Sequence, residues 1–275
     1  MRGGKIVRIP PYKKIIYGVL DFFKKYGLTI LAVVLLIFIW QLAVDGFHIK
    51  KYVLPSPKLV FNSLFGPNAA ANHWGKHIFT TITEVFGSFL LVLVLGVILA
   101  IIISWNRWLN RLLMPVLVLF NSIPKIALAP LFLLWLGYGV KTNIWIAFFV
   151  AFFPVVINAT TGMMSVDDDL LDLVNYLDAK KYQVFLKIRI PASLPYIFSG
   201  IKICATSCVV GSIVGEFCAA KSGLGYLMRD AQAMIDMPTM FACLFLLAII
   251  GMCLFGFITI LENVCMPWKL VRSEN

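Results

Sequence analysis

The sequence predicts an all-α integral membrane protein with six transmembrane helices and one helical insertion on the cytoplasmic side. Three observations predict it. Of 275 residues, 61% are hydrophobic and only 13% charged, with a mean hydropathy of +0.91; a soluble domain averages about 45–50% apolar and about 25% charged residues. That composition excludes both a soluble globule, which needs more polar surface, and a disordered chain. Second, the apolar residues fall in runs of about 20, the helix length that crosses roughly 30 Å of hydrocarbon. Third, 24 Lys and Arg against 13 Asp and Glu give a formal charge of +11, and the excess is distributed as an orientation signal.

The spans follow in order. Residues 26–44 and 85–105 contain no charge. Residues 112–136 are interrupted only by Lys125. Residues 142–166 are uncharged, 190–215 hold Lys202 alone, and 237–261 hold no charge. Outer-membrane strands would instead alternate in segments of roughly 10 residues. The first span is longer than a signal-peptide core, and no small-x-small cleavage site follows Trp40 and Gln41. It is read as an uncleaved helix.

Domain organisation is therefore a basic segment 1–25, a six-span domain 26–265 and a tail 266–275. With both termini cytoplasmic, Arg2, Lys5, Arg8, Lys13, Lys14, Lys24 and Lys25 lie inside, with Arg107, Arg111, Lys180, Lys181, Lys187, Arg189, Lys202, Lys269 and Arg272. Fewer basic residues, such as Lys50, Lys51 and Lys221, fall outside. This is the positive-inside pattern, which accounts for the basic tail without nucleic acid. The six cysteines include no CxxC pair, and His48, His73 and His77 all fall in the outer loop. That argues against a metal site and for cysteines as packing residues.

The most charged stretch, SVDDDLLDLVNYLDAKKYQVFLKIRIP over 165–191, separates the fourth and fifth spans. Ser165 and Asp168 have capping-box spacing, and Leu170, Leu171, Val174 and Leu177 recur at helical spacing. Asp178 breaks the pattern, a second amphipathic piece carries Tyr182, Phe185, Leu186 and Ile190, and Pro191 is expected to stop it. The residues alone permit either a helix resting on lipid headgroups or a docking element for a cytoplasmic partner.

This insertion resembles the cytoplasmic loop of ABC-importer permeases, the membrane components of binding-protein-dependent transport. Their pattern is Glu-Ala-Ala, three residues, Gly, nine residues, then Ile-x-Leu-Pro. Ile188-Arg189-Ile190-Pro191 fits its end, Asp178 stands at the Gly, and Asp172-Leu173-Val174 stand at Glu-Ala-Ala. Asp tolerates the left-handed backbone that a Gly at such a turn serves. Leu54-Pro55-Ser56-Pro57, Ile123 to Leu131 with Trp135 to Gly139, Phe152-Phe153-Pro154, Gly215-Glu216-Phe217 and Ser222 to Leu227 are similar to the nitrate/sulfonate/taurine-type branch.

The resemblance implies a type I ABC importer permease fold in a bacterial cytoplasmic membrane. It implies two permease copies forming the pore, two ATPase subunits beneath, and a solute-binding protein delivering cargo. Asp172, Leu173, Val174, Leu177, Asp178, Ala179, Tyr182, Phe185 and Pro191 would form the ATPase-coupling element, with Leu173, Val174, Leu177, Tyr182 and Phe185 as its apolar ridge. No cofactor is expected in this chain. The two Gly-Lys pairs, Gly4-Lys5 and Gly75-Lys76, are followed by Ile6 and His77 and so do not make a Walker A loop; Mg-ATP would sit on the partner, and no catalytic residue is assigned. Asn121, Lys125, Asn158, Ser212 and Glu216 are the candidate pathway or gate residues, because polar groups inside spans are costly. Lys125 is read as meeting an anionic cargo or as bonding the carbonyls freed by Pro124. Glu216 is read as a gate or as the partner of a basic residue, and Glu84 as a solvated boundary charge. The rival class, an ATP-independent secondary transporter or channel, would call for an inverted repeat or a ladder of carboxylates.

Overall fold

In a computed structural model, residues 11–67 and 69–266 are described; Arg2, Lys5, Arg8, Lys269 and Arg272 lie outside them. The described residues form helices and no strand. In order they are α1 (Pro11–Gly46), α2 (Pro57–Phe65), α3 (Trp74–Trp105), α4 (Arg107–Ser122), α5 (Ala129–Leu136), α6 (Val140–Met164), α7 (Asp168–Tyr176), α8 (Lys181–Val184), α9 (Ile190–Ala219), α10 (Leu224–Ala233) and α11 (Met237–Cys265). Short 3₁₀ turns occupy Ala69–Asn72 and Lys125–Leu128.

Among the described residues, four helical stretches are long and apolar enough to cross a membrane: Ala69–Trp105, Val140–Met164, Lys181–Cys218 and Met237–Cys265. A fifth is a broken pair, Arg107–Ser122 with Lys125–Leu136, bent by 78°. The third predicted span is therefore not one straight helix. Pro124 has no N–H to continue the ladder, and the chain passes through a 3₁₀ turn before Pro130 restarts it at α5. The first predicted span falls within α1, whose apolar stretch Leu31–Gly46 is exposed along most of its length. Trp40 fastens it, stacking on Phe245 of α11 at 5.8 Å.

The centre is the pair α6 and α9, with α3 against both and α10 and α11 closing the side. Small residues let these backbones approach, the usual device where lipid removes any hydrophobic preference between helices. A Cβ on Gly211 of α9 would collide with Ala147 of α6, and one on Gly215 would strike Asn143. Cys204 and Cys208 are buried with sulfurs 3.7 Å apart and unbridged, which is the packing role expected. Toward the end of the bundle that carries the insertion, Lys202 of α9 forms an ion pair with Glu262 of α11 and lies 5.5 Å from the Phe255 ring.

Two local expectations are corrected. Ser165 does not cap the first insertion helix; its hydroxyl donates to the Gly162 carbonyl at 3.0 Å. Asp167 caps instead, its carboxylate accepting from Asp169 N–H at 3.0 Å, because α7 begins one residue after it. Nor does Pro191 stop the second insertion helix. Phe185–Arg189 widen into a π turn in which Ile190 N–H reaches the Phe185 carbonyl. That turn absorbs the proline, which enters the first turn of α9, where no N–H is needed. The insertion therefore runs without a break into the fifth span.

Replacing Gly211 by Leu is expected to force α6 and α9 apart, costing at least about 1–3 kcal/mol as overpacking. Thermal unfolding of the purified protein in detergent reads this as a melting midpoint several degrees lower.

Candidate functional site

The polar chemistry of the described residues lies in three places. At one end of the bundle, α7, a turn and α8 carry the predicted coupling residues. Asp178 takes φ +55°, the left-handed conformation expected where the family pattern has Gly. The Ala179 N–H closes back on the Val174 carbonyl at 3.2 Å. Leu173 and Tyr182 are exposed, as are Leu177 at 69% and its neighbour Tyr176 at 89%. Asp172 is exposed and Val174 half-buried.

Phe185 departs from the predicted ridge. It is 5% exposed and packs edge-on against Trp105 at the end of α3, centroids 4.9 Å apart. Arg189 sits beside it and donates to the Ser104 carbonyl at 3.4 Å. Both side chains fasten the loop to the bundle, Phe185 because it points from the turn after α8 toward the core. Tyr176 was missed from the ridge, although its place next to Leu177 and three residues after Leu173 could have revealed it. A cavity of about 500 Å³ lies between loop and bundle, lined by Trp105, Arg107, Asp172, Lys181 and Arg189 among others.

At the broken span, Lys125 Nζ donates to Asn121 Oδ1 at 2.6 Å and lies 5.5 Å from the Phe153 ring centroid. The lysine thus bonds the carboxamide one turn back rather than the carbonyls freed by Pro124. Asn158 Nδ2 donates to the Pro154 carbonyl of its own helix at 2.7 Å, one turn back. These residues are not brought to Ser212 or Glu216, which sit toward the opposite end of α9.

That opposite end holds the third cluster. Glu84 is 0% exposed, which overturns its reading as a solvated boundary charge. The charge itself delimited the predicted span, whereas α3 begins ten residues earlier at Trp74. Asn143 Nδ2 donates to Glu84 Oε1 at 2.8 Å. Glu216, also 0% exposed, accepts from Thr81 Oγ1 at 2.6 Å and from Gly225 N–H at 2.5 Å. Thr81 Oγ1 accepts from Leu224 N–H at 2.8 Å, and His77 Nδ1 lies 3.0 Å from Gly223 N. Gly223 takes φ +118°, and a Cβ there would collide with the Glu216 carboxyl. Glu216 has no basic partner among the described residues; its neighbour is the other glutamate. Thr81, His77 and Asn143 carried no sequence signal, being common polar residues whose partners lie more than fifty positions away. Ser212 is buried and its hydroxyl meets no partner. No group of three metal-ligating side chains occurs among the described residues.

The described residues thus form a polytopic helical body with an exposed apolar loop at one end. Residues 92–263 match the family described as "Binding-protein-dependent transport system inner membrane component". The formylaminopyrimidine transport permease protein ThiX of Halalkalibacterium halodurans is 32% identical over 236 residues, covering 86% of this chain and 93% of that protein. The riboflavin transport system permease protein RibX of Chloroflexus aurantiacus is 31% identical, covering 88% and 90%. The putative aliphatic sulfonates transport permease protein SsuC of Bacillus subtilis is 29% identical, covering 90% of each chain. A chain of the inward-facing MetNI methionine ABC transporter shares the fold, with a TM-score of 0.59 at 20% identity, covering 69% of this chain and 94% of that one. The chain belongs to the binding-protein-dependent transport inner-membrane family and is a permease of an ABC importer, not an ATP-independent carrier.

Asp178→Gly is expected to leave the coupling turn intact, whereas Asp178→Val strains it by about 1–2 kcal/mol through the left-handed penalty. Amide exchange over residues 168–189 distinguishes them, being unchanged in the first variant and faster in the second. Phe185→Ala opens a cavity against Trp105, at a cost of up to about 3–5 kcal/mol. The same segment is expected to exchange faster in that variant while α6 and α9 stay protected.

Proposed function

We propose that two copies of this chain form the pore of an ATP-driven importer and that the loop 167–190 couples it to two separate ATPase subunits. The observation that carries the coupling assignment is the exposed apolar surface of Leu173, Tyr176, Leu177 and Tyr182 on a segment outside the bundle. Such a patch is stable in water only when another surface covers it. Asp172 and Asp178 border it, and Ala179 gives the turn room. The groove of an ATPase fits an amphipathic helix of this kind, with apolar anchors at helical spacing.

The π turn and the uninterrupted run from α8 into α9 give the coupling a mechanical route. Displacement of α7–α8 by the ATPase is transmitted through Phe185 to α3 and through Pro191 to α9, a rigid-body shift between two packed arrangements. Mg-ATP is bound and hydrolysed on the partner, and this chain supplies no catalytic group. Both termini are cytoplasmic, on the same side as Arg107, Arg111, Lys180, Lys181, Lys187 and Arg189, which supports that orientation. The opposite side, formed by the segment 45–78 with α10, is the landing surface for the solute-binding protein.

Asn121 and Lys125 at the broken span, with Asn158, Ser212 and Glu216, are proposed to line or gate the path. The cargo is a small solute of the nitrate, sulfonate or taurine kind or a pyrimidine precursor of thiamine. The names of the relatives support that range, and selection among its members lies with the binding protein.

Leu173→Asp combined with Leu177→Asp is expected to leave membrane insertion unchanged and to abolish import in vesicles containing ATPase and binding protein. Basal ATP hydrolysis should persist without stimulation by loaded binding protein. Normal import by this double variant would defeat the coupling assignment.

A further inference from the structure

The transport reading leaves unexplained why two glutamates lie side by side, fully buried, at the extracytoplasmic end of the bundle. Glu84 of α3 and Glu216 of α9 are each 0% exposed and belong to one polar cluster: Asn143 bonds Glu84 and packs on Gly215, next to Glu216, which in turn bonds Thr81, one turn before Glu84 on α3. The surrounding donors are already placed. Asn143 serves Glu84 Oε1, while Thr81 and Gly225 serve the two oxygens of Glu216. No N–H or O–H of the described residues reaches Glu84 Oε2. Ionised carboxylates offer acceptors only, so two of them buried in one cluster without a cation call for a hydrogen that the described residues do not provide.

No positive charge replaces it. Among the described residues, neither glutamate forms an ion pair. On α3, His77 is turned to Gly223. On α11, Cys243 faces Glu216, with Asp236 beyond it. On α10, Asp230 lies beyond His77, and Arg229 is turned to the carbonyls of Phe217 and Ala220. In the loops, Tyr138 and the exposed Lys221 line a cavity of about 180 Å³ that Glu84 and Asn143 also line.

We propose that Glu84 and Glu216 bind one proton between them, and that this shared proton fastens the extracytoplasmic loop 220–225 to the bundle. The pair carries part of the loop's fastening, beside the contacts of His77 with Gly223, Thr80 with Ser222 and Arg229 with Ala220. Gly225 N–H ends on Glu216, and Leu224 N–H ends on Thr81, whose own hydrogen goes to Glu216. Gly223 packs so closely on the carboxyl that no Cβ fits. These bonds require α3 and α9 to keep their present spacing. Removing the proton leaves two like charges in one cluster where water is scarce, and their repulsion drives the helices apart or draws water in through the cavity beside Glu84. The occupied site holds the outer end shut, and the vacated site releases the loop and α10.

Two measurements on the permease assembled with its ATPase in vesicles test this. Infrared difference spectra are expected to show a protonated carboxylic C=O band at neutral pH that disappears in Glu84→Gln and in Glu216→Gln. Glutamine has the shape of the protonated acid, so Glu84→Gln is expected to fold and keep the loop fastened at any pH. Ser222→Cys, with Cys218, Cys253 and Cys265 replaced by Ser, then reports loop opening through its reaction with a membrane-impermeant maleimide. The rate in the Glu84 protein divided by the rate in the Glu84→Gln protein is expected to rise several-fold as the outside pH is raised; the division cancels ionisation of the thiol itself. A band absent from the Glu84 protein, a band that survives in either Gln variant, or a rate ratio flat with pH overturns the proposal. Import need not be measured, so the outcome is independent of the coupling assignment.

Discussion

Close approach of α6 and α9 is the contact on which the rest of the molecule depends. In a bilayer the hydrocarbon is as apolar as the side chains, so helices gain by fitting rather than by escaping water. Gly211 and Gly215 supply that fit against Ala147 and Asn143. Because Asn143 is seated there, its amide reaches Glu84 on α3, and because α9 is held there, Glu216 meets Thr81 and the loop before α10. The outer polar cluster is thus a consequence of the glycine contact.

The two ends of the bundle solve opposite problems. At the end that holds Glu84 and Glu216, polar groups are buried and must satisfy one another, since an unpaired acceptor in a dry site is costly. At the end that holds α7 and α8, apolar side chains are left exposed on a loop. Phe185 and Arg189 pin the base of that loop to Trp105 and Ser104, while Leu173, Tyr176, Leu177 and Tyr182 are exposed. Between the ends, the 78° break at Pro124 places Lys125 and Asn121 at a discontinuity, where irregular backbone is tolerated in a membrane only if protein or a cavity faces it.

The insertion was the most legible part of the site. Its helix–turn–helix form could be read from spacing, and the left-handed residue at Asp178 and the family from the resemblance of the motif, because such features are local and their residues lie close together in the chain. Three details next to it could not. The capping role of Asp167 and the π turn before Pro191 depend on where α7 and α9 begin, and the inward side of Phe185 depends on where α3 ends, far earlier in the chain. Glu84 shows the same limit more sharply, since a charge at the edge of an apolar run looks solvated until the partner helix is in place.

By itself, then, the sequence determined the class of the protein, the location of the apolar runs and the loop that breaks them, because hydropathy and positive charge act locally on each segment as it meets the bilayer. Only the tertiary structure decided which polar residues meet: Lys125 with Asn121 within one helix–turn unit, and Glu84 with Glu216, Asn143 and Thr81 across three helices. The physical reason is that burial of a polar group is a property of its neighbours, and those neighbours are set by glycine contacts that carry no charge, motif or period of their own.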